Sequence, residues 1–258
     1  MDGRQFSGKA VLVTGATSGI GRACAIAFAK QGAQVACIGR KQDALAVVAD
    51  AIESAGGEAL PIKADLAIAA EADAVISQAV EGFGGLDVLV NAAGHISTGT
   101  IENTSDEAWD EMMNVNVRAV FRLMRQAMPH LIERKGNVVN VSSVTGLRSF
   151  PGVLAYCVSK SAVDQLTRCS ALEVAAKGVR INAVNPGVVI TEIHKRGGMN
   201  SDAYEAFLEH SKQTHPLGRV GQPEEIAALV AFLASGEARW ITGATYSIDG
   251  GRHLTCAR

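Results

Sequence analysis

The 258-residue sequence has no apolar run long enough to cross a bilayer. It also has no leader-like start, because the polar opening MDGRQFSGK passes straight into a β-rich run. A soluble, cytoplasmic protein is the expectation. No basic stripe is present and the formal net charge is -2, so the electrostatic footprint of a nucleic-acid or membrane binder is missing. Cysteine is unpatterned: Cys24, Cys37, Cys157, Cys169 and Cys256 show no zinc-ligand spacing. An odd, scattered set reads as free thiols in a reducing compartment. The histidines give no metal constellation either; His194, His210, His215 and His253 are expected as surface side chains. Linkers, repeats, heptads and low-complexity stretches are absent, which leaves one domain over residues 1–258.

Apolar residues make up 48% of the chain and glycine occurs 27 times. That pairing suits buried parallel strands joined by tight turns. Strands are expected over residues 9–14, 34–39, 59–63, 86–90, 136–142, 179–185 and 245–249. Helices are expected over 22–31, 41–54, 71–83, 105–131, 156–176 and 223–235. Most strands are apolar on both faces and alternate with helices. The expected fold is therefore α/β: a Rossmann-like, doubly wound parallel sheet of about seven strands with helices on both faces. Residues 188–221, rich in charge, histidine and glycine, show no clear strand and read as a substrate lid.

Gly15, Gly19 and Gly21 stand where the first strand gives way to a helix. Glycine lets the backbone turn sharply and lie close to a pyrophosphate, whose charge the helix N-terminus favours. The spacing is GxxxGxG rather than GxGxxG, and no Lys-Ser or Lys-Thr follows to make a Walker A loop. A plain glycine-rich turn is the alternative. At the end of the second strand no acid is present to accept ribose hydroxyls; Gly39 is followed by Arg40 and Lys41. Arg40 can pair with a 2′-phosphate, which favours NADP over NAD; otherwise the two cations are a solvated helix start. Asp65 either accepts from an adenine amine or caps the next helix. Asn91, Ala92, Ala93 and Gly94 follow the fourth strand, and their small side chains let a ligand lie close.

Tyr156 and Lys160 are four apart and share a helix face. A neighbouring cation is expected to lower the phenol pKa from about 10 toward neutrality, giving a general acid/base. Ser143 ends the fifth strand and can hold the oxygen of a reacting carbonyl. Without other support, the tyrosine and lysine are only a surface helix pair. Asn116 is a poor interior helix former: it bends the helix, holds a water near Lys160, or is a tolerated surface residue.

With these motifs in order, the whole chain resembles the short-chain dehydrogenase/reductase family. TGATSGIG (14–21) resembles its cofactor loop; NAAG (91–94), Val115-Asn116, VSS ending at Ser143, YCVSK (156–160) and NPG (185–187) with Thr191 resemble its later motifs. The resemblance implies a catalytic tetrad of Asn116, Ser143, Tyr156 and Lys160. It implies cofactor contacts at Gly15, Thr17, Ser18, Gly19, Ile20, Gly21, Arg40, Asp65, Leu66, Asn91, Ala92, Gly94, Tyr156, Lys160, Pro186, Gly187, Val189 and Thr191. It also implies a homotetramer, with a homodimer as the alternative, and a reaction that needs no metal.

Substrate contacts are expected from Ser143, His95, Val144, Phe150, Tyr156 and Val188, a mainly apolar set acting on a small carbonyl or alcohol. Arg148 is read as a solvated loop residue, and the tail after the last strand as long enough to reach a neighbouring subunit. The leading expectation is an NADP-dependent carbonyl reductase of 3-oxoacyl or ketone type. An NAD-dependent alcohol, steroid or sugar dehydrogenase and a catalytically silent nucleotide sensor are the alternatives.

Overall fold

Seven short apolar runs pair side by side, all parallel, in the computed structural model, which describes residues 4–255. They are β1 (Ala10–Thr14), β2 (Gln34–Gly39), β3 (Glu58–Lys63), β4 (Val88–Asn91), β5 (Asn137–Val141), β6 (Arg180–Pro186) and β7 (Thr245–Ile248), in the order β3-β2-β1-β4-β5-β6-β7. Side chains alternate along a strand, so each strand feeds both faces. Val11 and Val13 enter one core cluster and Leu12 the other.

The first cluster is closed by α1 (Gly19–Ala29), α2 (Gln42–Ser54) and α10 (Pro223–Ala234), through Cys24, Phe28, Leu45, Val48, Ile226 and Val230. The second is closed by α3 (Ala69–Phe83), α5 (Ala119–Arg134) and α7 (Leu154–Val174), through Val75, Ile76, Leu123, Leu131, Ala171 and Val174. Three layers bury the central strands completely, which is why β1 can be AVLVT with no polar face. This is the doubly wound, Rossmann-like α/β fold. Strand order reverses between β1 and β4, and a crevice opens there at the strands' carboxyl ends. The Thr14 hydroxyl ties its two sides, accepting from the backbone N–H groups of Ala92 and Ala93 at 3.0 Å each.

One expectation about the elements needs correction. The helix expected over 105–131 is three pieces: α4 (Asp106–Met113), a π-helical turn (Asn114–Arg118) and α5. Ser105 caps α4, its side chain accepting from the Ala108 N–H. The 188–221 stretch, expected to show no strand, has none among the described residues; it contains α8 (Ile193–Arg196) and α9 (Ser201–Thr214), the latter capped by the Asn200 side chain on Ala203 N–H. A short α6 (Val144–Leu147) also follows β5.

Candidate functional site

The glycine turn is shaped by close backbone approaches. A Cβ at Gly21 would lie 2.3 Å from the Gly15 carbonyl oxygen, and one at Gly15 would lie 2.9 Å from Ala93 Cα. Gly15 and Gly19 also have φ of 64° and 52°, a region that disfavours side chains. Thr17 sits against Gly39, where a Cβ would meet its Cγ2 at 2.4 Å, so the end of β2 is small because the turn packs on it. Ser18 is the N-cap of α1, but its side chain makes no cap hydrogen bond, so it leaves amide donors of the first turn unmet. Ile20 packs against the first core cluster. Arg40 and Lys41 are exposed beyond β2.

The crevice floor carries one orphaned acceptor. Asn91 is buried; its Nδ2 donates to Asn140 Oδ1 at 2.8 Å, while its Oδ1 has no partner among the described residues. Unmet helix amides, a turn with no β-carbon at Gly15, Gly19 and Gly21, and a buried lone acceptor together fit a phosphate-bearing dinucleotide. Asp65 does not cap α3, whose N-cap is Ile68; its Oδ1 accepts from Ala67 N–H at 3.0 Å and Leu66 beside it is buried. Ala92 and Gly94 line the β4 side, and a Cβ at Gly94 would touch Asn116 Oδ1 and Lys160 Nζ at 3.7 Å.

On the opposite side, β6 ends at Pro186 and the chain turns at Gly187, whose Cβ position is filled by His215 Nε2 at 2.7 Å. His215 is buried rather than on the surface: the Val188 N–H donates to its Nε2 at 3.1 Å, and its Nδ1 lies 2.6 Å from the Ser211 carbonyl. Burial holds its pKa below the ordinary histidine range, against the Ser211 contact. Thr191 meets the glycine turn, its Cγ2 standing 3.0 Å from where a Gly19 Cβ would be. The Tyr204 hydroxyl fixes it by accepting from Thr191 N–H (3.1 Å) and donating to Thr191 O (2.9 Å). Val189 pairs with Gly221 in an isolated bridge.

The four side chains of the reacting end come from three places in the fold, the π turn, the β5–α6 junction and α7, and gather at the crevice. Asn116, in the π turn, is buried, not a surface residue. Its Oδ1 accepts from His95 N–H at 2.8 Å, and its Nδ2 lies within hydrogen-bond reach of His95 O (2.9 Å) and Ser159 Oγ (3.0 Å). Ser159 in turn donates to the Tyr156 carbonyl at 2.8 Å, which links the π turn to α7. Ser143 caps α6, its Oγ accepting from Thr145 N–H at 3.1 Å. Lys160 Nζ donates to the Val141 carbonyl at 2.8 Å and stands 5.7 Å from the Tyr156 ring centroid.

This geometry corrects the expected phenol titration. Burial pushes Tyr156 up to about 12, and the hydrogen bond with the Ser143 hydroxyl pulls the other way but less. Lys160 faces the Val141 carbonyl, and burial brings its own pKa down to about 8, opposed by Asp164. The chain alone therefore holds a neutral phenol: a proton donor already charged with its proton.

Asp164, one turn beyond Lys160, is buried and its carboxyl is raised by desolvation. Asn185 Nδ2 reaches both Asp164 Oδ2 and Ser143 O at 2.9 Å, so β5, β6 and α7 are knotted together behind the tetrad. Neither residue's packing role is visible in a linear motif.

The wall beside Tyr156 is apolar: Ile96, Met112 and Ala155 are buried with it, flanked by Trp109, Val153 and Ile193. Val144, next to Ser143, and Val188, next to Gly187, are buried, and Phe150 lies under the Arg252 guanidinium at 4.9 Å. Arg148 is not a free loop cation; its Nη1 donates to His253 O at 2.6 Å, which holds the final turn (Arg252–Leu254) to this chain. Trp109, Ile193 and Tyr204 escaped the sequence reading. For Tyr204, the spacing Tyr204, Phe207, Ser211 was the available helical signal.

Among the described residues no helix is long and apolar enough to cross a membrane, and no three metal-ligating side chains cluster.

Residues 15–253 match a family model described as enoyl-(acyl carrier protein) reductase. A 3-oxoacyl-(acyl-carrier-protein) reductase of Staphylococcus aureus is 38% identical over 250 residues, covering 95% of this chain and 98% of that protein. A 2,5-dichloro-2,5-cyclohexadiene-1,4-diol dehydrogenase of Sphingobium indicum is 40% identical, covering 96% and 97%. A short-chain dehydrogenase/reductase of unknown function from Caenorhabditis elegans, solved with cofactor, superposes with a TM-score of 0.93 at 35% identity, covering 98% of each chain. Sequence, fold and crevice agree: the chain belongs to the short-chain dehydrogenase/reductase family and is an oxidoreductase of that type.

Proposed function

We propose that the protein is an NADP-dependent carbonyl reductase acting on a ketone or 3-oxoacyl group. One observation carries the reading: Tyr156, buried and protonated, stands beside Ser143 and Lys160 at the crevice. When bound, the nicotinamide cofactor supplies the hydride in reduction. Ser143 Oγ hydrogen-bonds the substrate oxygen and polarises it. Tyr156 delivers its proton to that oxygen as charge develops there. Lys160 holds ribose hydroxyls and stabilises the phenolate left behind. Asn116 keeps the 91–95 segment against α7 and the proton path to solvent open.

For the cofactor, the glycine turn with Thr17, Ser18 and Ile20 takes the pyrophosphate side, and Asp65, Leu66, Asn91, Ala92 and Gly94 the adenosine side. Pro186, Gly187, Val189 and Thr191 take the carboxamide. Arg40, exposed beyond β2 with no acid beside it at the strand end, favours the 2′-phosphate and hence NADP over NAD. His95, Val144, Phe150 and Val188 contact substrate, with residues 188–221 as its lid. The exposed apolar residues Phe121, Val158 and Leu172 on α5 and α7, and Trp240 at 98% exposure, support a homotetramer.

The second reading is oxidation of an alcohol with NAD, favoured by the equally close match to a diol dehydrogenase. A panel of ketones and alcohols, followed at the nicotinamide absorbance with each cofactor, tests both. Ketone reduction with NADPH is expected; tight cofactor binding with no turnover across the panel would support a sensor instead.

A further inference from the structure

Arg196, the last residue of α8, comes back to the glycine turn 178 residues earlier in the chain. Its Nη1 donates to Ser18 Oγ at 3.0 Å. Ser18 does not cap α1 with that hydroxyl, so its side chain serves the guanidinium instead. Thr191, five residues before Arg196, packs on Gly19 in the same turn. Gly39, the last residue of β2 and the neighbour of Arg40, packs against Thr17 beside Ser18, so this docking brings a second arginine toward the end of β2. Burial and then the charge of Arg40 lower the Arg196 pKa, with Glu192 acting the other way. Neither arginine is in an ion pair among the described residues. Two guanidiniums that repel each other at the mouth of a nucleotide turn are stabilised by an anion shared between them.

We propose that Arg196 joins Arg40 in gripping the 2′-phosphate of NADP, so that cofactor choice is read partly by the lid. The inference rests on the NADP reading above. It assigns the 188–221 segment a role in nucleotide recognition as well as substrate cover. A guanidinium fork suits a phosphate dianion, and two forks from separate elements close over it only when the segment is docked.

Calorimetric titration of wild type, Arg40→Ala, Arg196→Ala and Arg196→Lys tests this, using NADPH, NADH, adenosine 2′,5′-bisphosphate and 5′-AMP. Arg196→Ala is expected to weaken NADPH and the bisphosphate about tenfold or more, as loss of a charged hydrogen bond does. NADH and 5′-AMP should change less than about twofold on the same reasoning, and Arg196→Lys should fall between. Equal weakening of NADPH and NADH would place Arg196 on the pyrophosphate or in folding, and would overturn the proposal. No weakening of either would overturn it as well. If the wild type prefers NADH and Arg40→Ala leaves NADPH affinity unchanged, the NADP reading itself has failed, a result visible without the Arg196 variants.

Discussion

Asn116 and His95 hydrogen-bond in both directions: the amide oxygen accepts from the His95 N–H at 2.8 Å, and the amide nitrogen donates to the His95 carbonyl at 2.9 Å. One side chain thus acts as a short strand for the segment leaving β4. Replacing Asn116 with alanine strands two backbone groups. The expected cost is about 2 kcal/mol of stability, with turnover falling at least tenfold because the 91–95 segment loses its anchor. Thermal denaturation read beside single-turnover rates checks both; normal stability would show that water replaces the amide fully.

Tyr156→Phe keeps the buried ring and removes only the proton. Reduction is expected to slow by about 10²–10⁴-fold, the usual worth of a positioned acid, while NADPH affinity stays within a few-fold. Near-normal turnover would remove Tyr156 from the chemistry.

Lys160 gives a pH signature. Its folded pKa lies at about 8, below the ordinary 10.5, because burial disfavours the ammonium. Between those values the unfolded chain holds a proton that the folded chain has released, so stability rises with pH in that window. Below about 8 both states are charged and the folded state bears the full cost of the buried charge. Denaturant titrations from pH 7 to 11 are expected to show wild type gaining on Lys160→Met across this window. A flat difference would mean that the lysine keeps its charge in the fold.

The glycine turn predicts a contrast between two substitutions. Gly21→Ala places a methyl 2.3 Å from the Gly15 carbonyl oxygen, whereas a Cβ at Gly236 meets nothing within 4 Å. The first should lower the melting temperature by several degrees and abolish nucleotide binding. Gly236→Ala should do neither. Equal tolerance would show that the turn can relax.

The central sheet was legible because its strands are buried on both faces. Gln34–Gly39 carries no polar interruption that would let it be a surface helix, and its bounds agree with expectation. The glycines were legible for the same kind of reason, since close backbone contact tolerates little else. Three features were hidden. The extra residue of the π turn leaves no periodic trace in NVNVR. The α9 helix is largely polar outside, so its few inward residues, Tyr204 and Ser211 among them, made a weak pattern. The titration of Tyr156 depends on how deeply the ring is buried, against which the Ser143 hydrogen bond pulls only weakly, and burial is set by packing that a linear motif does not carry.

The widened turn at Asn114–Arg118 also constrains how this chain can change. Deleting one of its five residues would restore regular i→i+4 bonding and make the helix locally more conventional. It would also rotate everything on one side of the cut by about 100° relative to the other. Either Asn116 would swing away from His95, or Leu123 and Leu131 would leave the sheet they cover. An irregular stretch of backbone is thus the coupling that lets one rod serve the crevice at one end and the core at the other, and idealising it should trade activity for nothing.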